Sequence, residues 1–360
     1  MSLLARTLKG GLGFLLASII GRGSGFLFLL IAGRLLEVRA FGLLTLGLTI
    51  ASLGEKISTF GIPNTVQRFL SGGEDRQTQQ VYGSTILVTF VLAIAGATTL
   101  YVAAPLIANW IIEEPALTSP LRILAATVGL GVLFTVAKSV LQSREYVVAY
   151  TGMDTAFGLA KVGLVAVLIP VVGASAASGA WAVVCAYVIS LSVFIGCLPR
   201  IQLTPSYDQI CASVRHLLSY SVPLLVVGLG YYVAQQADRL MLGALNSTDS
   251  VGLYTAASTL ALSLTMVHSA LGRILMPIIS ESYANRDLDE ACRMYLISVK
   301  WVSLFNGTAF LCFVGGGQFL LGVYGPEYTT EAVHMTLSLL GLLYFVGSWV
   351  GSTGAFLQMT

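Results

Sequence analysis

The sequence predicts an all-α, polytopic membrane protein of about ten transmembrane helices in two parallel pseudo-repeats, six helices and then four. Three observations carry this. Of 360 residues, 56% are hydrophobic and only 10% charged, where a soluble domain carries about 25% charged residues. Apolar runs of about 20 residues, enough for a helix to cross the hydrocarbon core, recur along the whole chain. Segments of the first half also echo in order in the second. An exterior this apolar is compatible with lipid and not with water alone.

Taken in order, the apolar runs place spans near 11–33, 41–66, 82–108, 120–142, 148–171, 178–198, 217–237, 251–279, 295–323 and 332–357. The first follows Arg6 and Lys9 and runs on without a small-residue cleavage site, so it reads as a retained span rather than a signal peptide. Pro63, Pro170, Pro223 and Pro277 fall inside spans, which membrane helices tolerate because neighbours and water can satisfy the freed backbone groups. Cys185, Cys197, Cys211, Cys292 and Cys312 form no C-x-x-C pair, so neither a disulfide nor a metal is expected, and no cofactor. The net charge of +2 gives no nucleic-acid signal.

Orientation follows from the basic residues. With the N-terminus cytoplasmic, inside segments hold twelve: Arg6, Lys9, Arg68, Arg76, Lys138, Arg144, Arg200, Arg215, Arg273, Arg286, Arg293 and Lys300. Outside segments hold four, Arg34, Arg39, Arg122 and Arg239, and the positive excess belongs to the cytoplasm. The expected organisation is a six-helix N-terminal lobe over 1–200, a cytoplasmic connector over 201–216 and a four-helix, incomplete lobe over 217–360. The internal echo supports it. GRLLEVRAFGLLTLG (33–47) reads like DRLMLGALNSTDSVGLYTAA (238–257), PLIANWIIEEPALTSPLRIL (105–124) like FLLGVYGPEYTTEAVHMTL (319–337), and the following helices end in Leu141-Gln142 and Leu357-Gln358. Such repeats are typical of transporters with a central site near the bilayer midplane; a complete second repeat would need two further helices. Asn246-Ser247-Thr248 is a glycosylation acceptor pattern in an expected outside loop.

No catalytic pattern is present. Gly21-Arg22-Gly23-Ser24-Gly25 follows no strand, and Gly21 and Gly25 read better as a close-packing helix face than as a phosphate loop. Charges within spans need a reason, since each costs about 2.5–3.5 kcal/mol at mid-helix on insertion scales. Arg22 lies on helix 1, Glu55 and Lys56 on helix 2, Lys161 on helix 5 and His268 on helix 8, while Gln235, Gln236, Asp238 and Arg239 polarise the outer end of helix 7. These residues are the candidate lining of a shared, net cationic, water-filled cavity suited to a phosphate or pyrophosphate. The structural alternatives are ion pairs across helices for Glu55 and Lys56, carbonyl bonding for Arg22, a packing role for His268 and a helix-end pair for Asp238 and Arg239.

The segment GRLLEVRAFGLLTLGLTIASLGEKISTFGIPNTVQRFLSGG resembles the start of the polysaccharide-biosynthesis flippases, in which helix 1 ends in Ala/Gly-Arg-x-Leu, helix 2 begins Phe-Gly-Leu and a Gly-Ile/Leu segment leads to an Arg at the cytoplasmic end. DRLMLGALNSTDSVGLYTAA and VYGPEYTTEAVHMTLSLLGLL are similar to later parts of the same family. The resemblance implies membership of the multidrug, oligosaccharidyl-lipid and polysaccharide exporter superfamily. It implies a non-enzymatic, monomeric flippase of the plasma membrane that moves a polyprenyl-(pyro)phosphate-linked saccharide to the outer leaflet, with Na+ or H+ as a possible coupling ion. Arg22 matches in position the first-helix arginine of the related peptidoglycan-precursor flippases. Ten helices, where family members look like twelve- or fourteen-helix proteins, and Lys56 on helix 2 depart from the pattern. The rival readings are a cation-coupled drug exporter of the same fold with Glu55 as coupling acid, a membrane glycosyltransferase or polymerase, and a non-transporting scaffold.

Overall fold

The computed structural model describes residues 21, 23–70, 76–144, 146–197, 207–284 and 287–359. Among them every regular element is helical. The order is α1 (Gly23–Leu35), α2 (Val38–Thr59), α3 (Ile62–Leu70), α4 (Arg76–Leu106), α5 (Thr118–Ser143), α6 (Val147–Val172), α7 (Ala176–Phe194), α8 (Tyr207–Leu245), α9 (Thr248–Ala284), α10 (Leu288–Leu321) and α11 (Glu331–Met359). Seven of the described helices are long and apolar enough to cross a membrane, and the protein is a multi-pass membrane protein of all-α fold. The chain forms two compact units, Met1–Gly252 and Leu253–Thr360.

In the first unit α5 is the central helix. It packs against α2, α3, α4, α6 and α7, and Leu121, Leu124, Val128, Val132, Val136 and Leu141 are buried along its length. The outward faces of α4 and α6 carry Phe90, Val91, Ile94, Val148 and Val171, all exposed, a pattern that lipid accepts as readily as a core does. Phe134, Phe157 and Tyr187 stack together with centroid separations of 4.3–5.5 Å, joining α5, α6 and α7. Pro170 and Pro223 lie inside α6 and α8.

The second span expected from the sequence, 41–66, is not one helix. Phe60 and Gly61 both take left-handed backbone (φ 51° and 71°), and the chain breaks there into α2 and α3. Glycine is required at 61 on two counts: its φ is one that L side chains resist, and a Cβ would lie 2.7 Å from the Ser221 carbonyl oxygen on α8. Pro63 therefore sits in the first turn of α3, where a missing N–H costs nothing, instead of kinking a span.

Local structure repeats in the order the sequence echo implies. α1 and α2 are joined by two residues, 36–37, and α8 and α9 by two residues, Asn246–Ser247. α4 leads to α5, and α10 to α11, through a turn containing a proline-led 3₁₀ helix, Pro115–Leu117 and Pro326–Tyr328 respectively. The two helix pairs also touch reciprocally. A Cβ on Gly42 would collide with the Thr248 carbonyl, and one on Gly252 would collide with the Val38 carbonyl.

The helix-packing reading of Gly21 and Gly25 divides. A Cβ on Gly21 would lie 4.0 Å from the Asp154 Cβ, whereas one on Gly25 would meet nothing within 4 Å. The tight α1–α6 contact is made by Ser24 against Gly158.

Candidate functional site

Within the first unit a cavity of about 330 Å³ is lined by α1, α2, α6, α7 and α8. Its charged lining residues are Lys161 and Arg239, and no carboxylate lines it among the described residues. Burial on α6 between rings holds the lysine: its Nζ lies 4.8 Å from the Phe28 centroid and 5.2 Å from that of Phe157. Such cation–π contacts replace part of the lost hydration, and no carboxylate pairs with it among the described residues. Arg239 Nη1 donates to Gln236 Oε1 at 3.3 Å, one turn back on α8, so that both side chains of the pair border the same space.

The α2 wall supplies hydroxyls. Thr45, Thr49 and Ser52 lie on one face at intervals of three and four residues, and all three line the cavity. Tyr232 of α8 reaches across to this face: its hydroxyl donates to the Thr49 carbonyl at 2.6 Å and meets Ser52 Oγ. The α2–α8 wall is thereby fixed by a buried tyrosine that carries no charge and attracted no attention in the sequence.

Glu55 stands behind this wall. Its Oε1 accepts a hydrogen bond from Thr135 Oγ1 of α5 at 3.1 Å, and Tyr187 of α7, a lining residue of the cavity, also donates to it. Gly131 makes the room, since a Cβ there would lie 2.5 Å from Glu55 Oε2. Lys56, one residue on, is exposed and borders a second, smaller cavity of about 230 Å³ with Thr59, Gly61, Asn64 and Thr135. The adjacent charges thus serve different spaces, and Glu55 is bonded to one lining residue of each.

Of the residues singled out from the sequence, Lys161, Gln236 and Arg239 share the larger cavity. Lys56 borders the smaller one. Gln235 and Asp238 are exposed on α8, with Asp238 Oδ1 accepting from the Arg239 backbone N–H at 2.8 Å. Arg22 and the His268 side chain lie outside the described residues. Tyr187, Tyr232, Thr135 and the α2 hydroxyls were not foreseen; the available signal was that a hydroxyl at bilayer depth needs a partner.

Fold and site together define a helical membrane protein with a polar cavity inside its first unit. The polysaccharide biosynthesis protein family matches residues 31–331, and the chain belongs to that family. No curated protein matches it in sequence. Among solved structures, the chain is similar to an inward-facing multidrug resistance MATE family transporter of the MOP superfamily (TM-score 0.69, 14% identity, 93% of this chain and 80% of that one). It is also similar to a MOP superfamily transporter from Pyrococcus furiosus (TM-score 0.63, 14% identity, 98% and 82%), and to a MATE protein in its straight conformation (TM-score 0.61, 14% identity, 98% and 82%).

Proposed function

We propose that the protein is a flippase that carries a polyprenyl-(pyro)phosphate-linked sugar or oligosaccharide from the cytoplasmic to the outer leaflet. The observation that carries the reading is the pair of cations, Lys161 and Arg239, on one cavity with no lining carboxylate among the described residues. Lys161, held between the Phe28 and Phe157 rings with no carboxylate partner among the described residues, is costly to keep charged away from water, and an anionic head group removes that cost as it binds. At about 4 Å and an effective dielectric of about 20, one such contact is worth about 4 kcal/mol. Hydroxyls on α2 and the Gln236 amide suit sugar or phosphate oxygens, while the polyprenyl chain stays in lipid. On this reading the protein works as a monomer in the plasma membrane, N-terminus inside, with lobes over 1–200 and 217–360 that alternate access and Na+ or H+ as the coupling ion. The candidate cavity residues from the sequence that border it or stand behind it, Glu55 included, position the head group.

The test is complementation of a strain lacking its lipid-linked-saccharide flippase, with surface glycan and internal lipid-linked saccharide as readouts. The wild type restores export; Lys161→Ala and Arg239→Ala reach the membrane in normal amount and do not. Full export by the double variant refutes the assignment. The second reading, a cation-coupled drug exporter, is favoured by the fold likeness to a multidrug resistance transporter, and it requires drug accumulation to rise when the gene is removed. Pocket polarity speaks against it: a cationic drug would meet two cations. The Pyrococcus furiosus relative is likewise described as having a binding pocket of reverse polarity that suggests a different function.

A further inference from the structure

A separate groove of about 810 Å³ lies on the first unit between α4, α5 and α7 and shares no lining residue with the Lys161 cavity. Its walls are small and apolar, with Ala97 on α4 and Ala125 and Ala126 on α5. Its rim is amphipathic: Tyr101 and Trp181 are each about half exposed (52% and 50%), as ring systems at a membrane–water boundary are. At the rim stands one cation. Arg122 is exposed, its guanidinium 5.3 Å from the Tyr101 centroid, and no carboxylate pairs with it among the described residues. Thr118 and Ser119, in the first turn of the 26-residue helix α5, line the groove beside it and add hydroxyl donors at the positive end of the helix dipole.

We propose that this groove binds an anionic phospholipid, its phosphate on Arg122, Thr118 and Ser119 and one acyl chain against Ala97, Ala125 and Ala126. Charge complementarity selects the occupant. Arg122 stands one helical turn inside the start of α5, with the half-exposed Tyr101 and Trp181 beside it, so that the groove sets a cation next to apolar walls as a phospholipid sets a phosphate next to hydrocarbon. A free anion would use the cation and leave the apolar walls bare; a neutral chain would use the walls and leave the cation unmatched. The aromatic rim serves both parts, since Tyr101 holds the Arg122 guanidinium over its face and lines the groove together with Ala97.

The test uses the detergent-purified full chain titrated with phosphatidylglycerol, phosphatidylcholine or inorganic phosphate. The thermal unfolding midpoint and the lipid retained in native mass spectra are the readouts. Phosphatidylglycerol raises the midpoint and is retained. Arg122→Gln weakens that binding about tenfold or more, the order expected for losing a charge-assisted contact, and Ala126→Trp, which fills the groove, removes it. Lys300→Gln, an exposed charge on α10, leaves it unchanged. Equal binding by wild type and Arg122→Gln overturns the proposal, as does an equal response to phosphatidylcholine, which would mean a groove for acyl chain alone, or reproduction of the full shift by inorganic phosphate, which would mean an ion site. Retained-lipid spectra decide the matter if a variant's baseline midpoint moves.

Discussion

Gly42 and Gly252 occupy matching places in contacts that mirror each other: each lies against the carbonyl of the residue four positions before the other, Thr248 and Val38 respectively. Reciprocity of this kind is the signature of a two-fold relation between equivalent helix starts. It gives the echo between Phe41-Gly42-Leu43 and Val251-Gly252-Leu253 a physical cause, because only a residue without a Cβ lets the two helix ends meet backbone to backbone. Gly42→Ala and Gly252→Ala should each destabilise the protein by about 1–3 kcal/mol, the usual range for overpacking. Because the two contacts share one junction, the double substitution should cost less than the sum of the singles. Thermal unfolding of the four proteins in detergent measures this.

Lys161→Met should separate stability from function. The methionine keeps the packing against Phe28 and Phe157 and removes a buried charge that has no carboxylate partner among the described residues. The unfolding midpoint is expected to hold or rise, while surface glycan falls at least about tenfold, the equivalent of 1.4 kcal/mol of binding. Lys161→Arg should retain part of the export.

The Glu55–Thr135 bond is open to a double-mutant cycle. A side-chain hydrogen bond is worth about 0.5–3 kcal/mol, more when the acceptor is charged, so Glu55→Leu, Thr135→Val and the double variant should give a coupling energy in that range. Glu55→Ala should cost more than Glu55→Gln, since it also empties the space beside Gly131. A coupling energy near zero would mean that the carboxylate is held by Tyr187 alone.

Alkaline stability should depend on two tyrosines in the turn between α10 and α11. Tyr324 and Tyr328 are almost fully buried, with ring centroids 5.5 Å apart. Burial pushes both phenols well above the ordinary tyrosine value, with the neighbouring Tyr328 adding to the effect at Tyr324 and Glu327 at Tyr328. A group whose folded value is raised contributes fully below its unfolded value, about 10, and loses that contribution as pH rises beyond it. Stability should therefore fall above about pH 10, and less steeply in Tyr324→Phe and Tyr328→Phe, as pH-dependent unfolding would report.

Much of the architecture was legible because membrane helices write their length directly into hydropathy, and the Arg-Leu and Gly-Leu echoes fall at the matching α1–α2 and α8–α9 connections. Breaks were less legible. The turn at Phe60–Gly61 falls inside an apolar run, and backbone handedness leaves no trace in hydropathy; only the Gly-Ile-Pro sequence hinted at it. For the cavity, the sequence pointed to Lys161, Gln236 and Arg239, because charge at bilayer depth is conspicuous. It could not tell that Glu55 and Lys56, neighbours in the chain, border different spaces, since that depends on which helices pack around α2. Tyr187 and Tyr232 stayed hidden because tyrosine is common in spans, and a hydroxyl's partner is a property of the folded protein.

The left-handed turn after α2 shapes the space beside Lys56. Had the helix run straight, Thr59, Gly61 and Asn64 would have continued along one cylinder, and the smaller cavity they border would be filled by the helix itself. That chamber is therefore carved by the path of the main chain rather than by trimming side chains. A β-branched residue at position 61 would disturb that chamber twice over, by resisting the backbone turn and by meeting the Ser221 carbonyl.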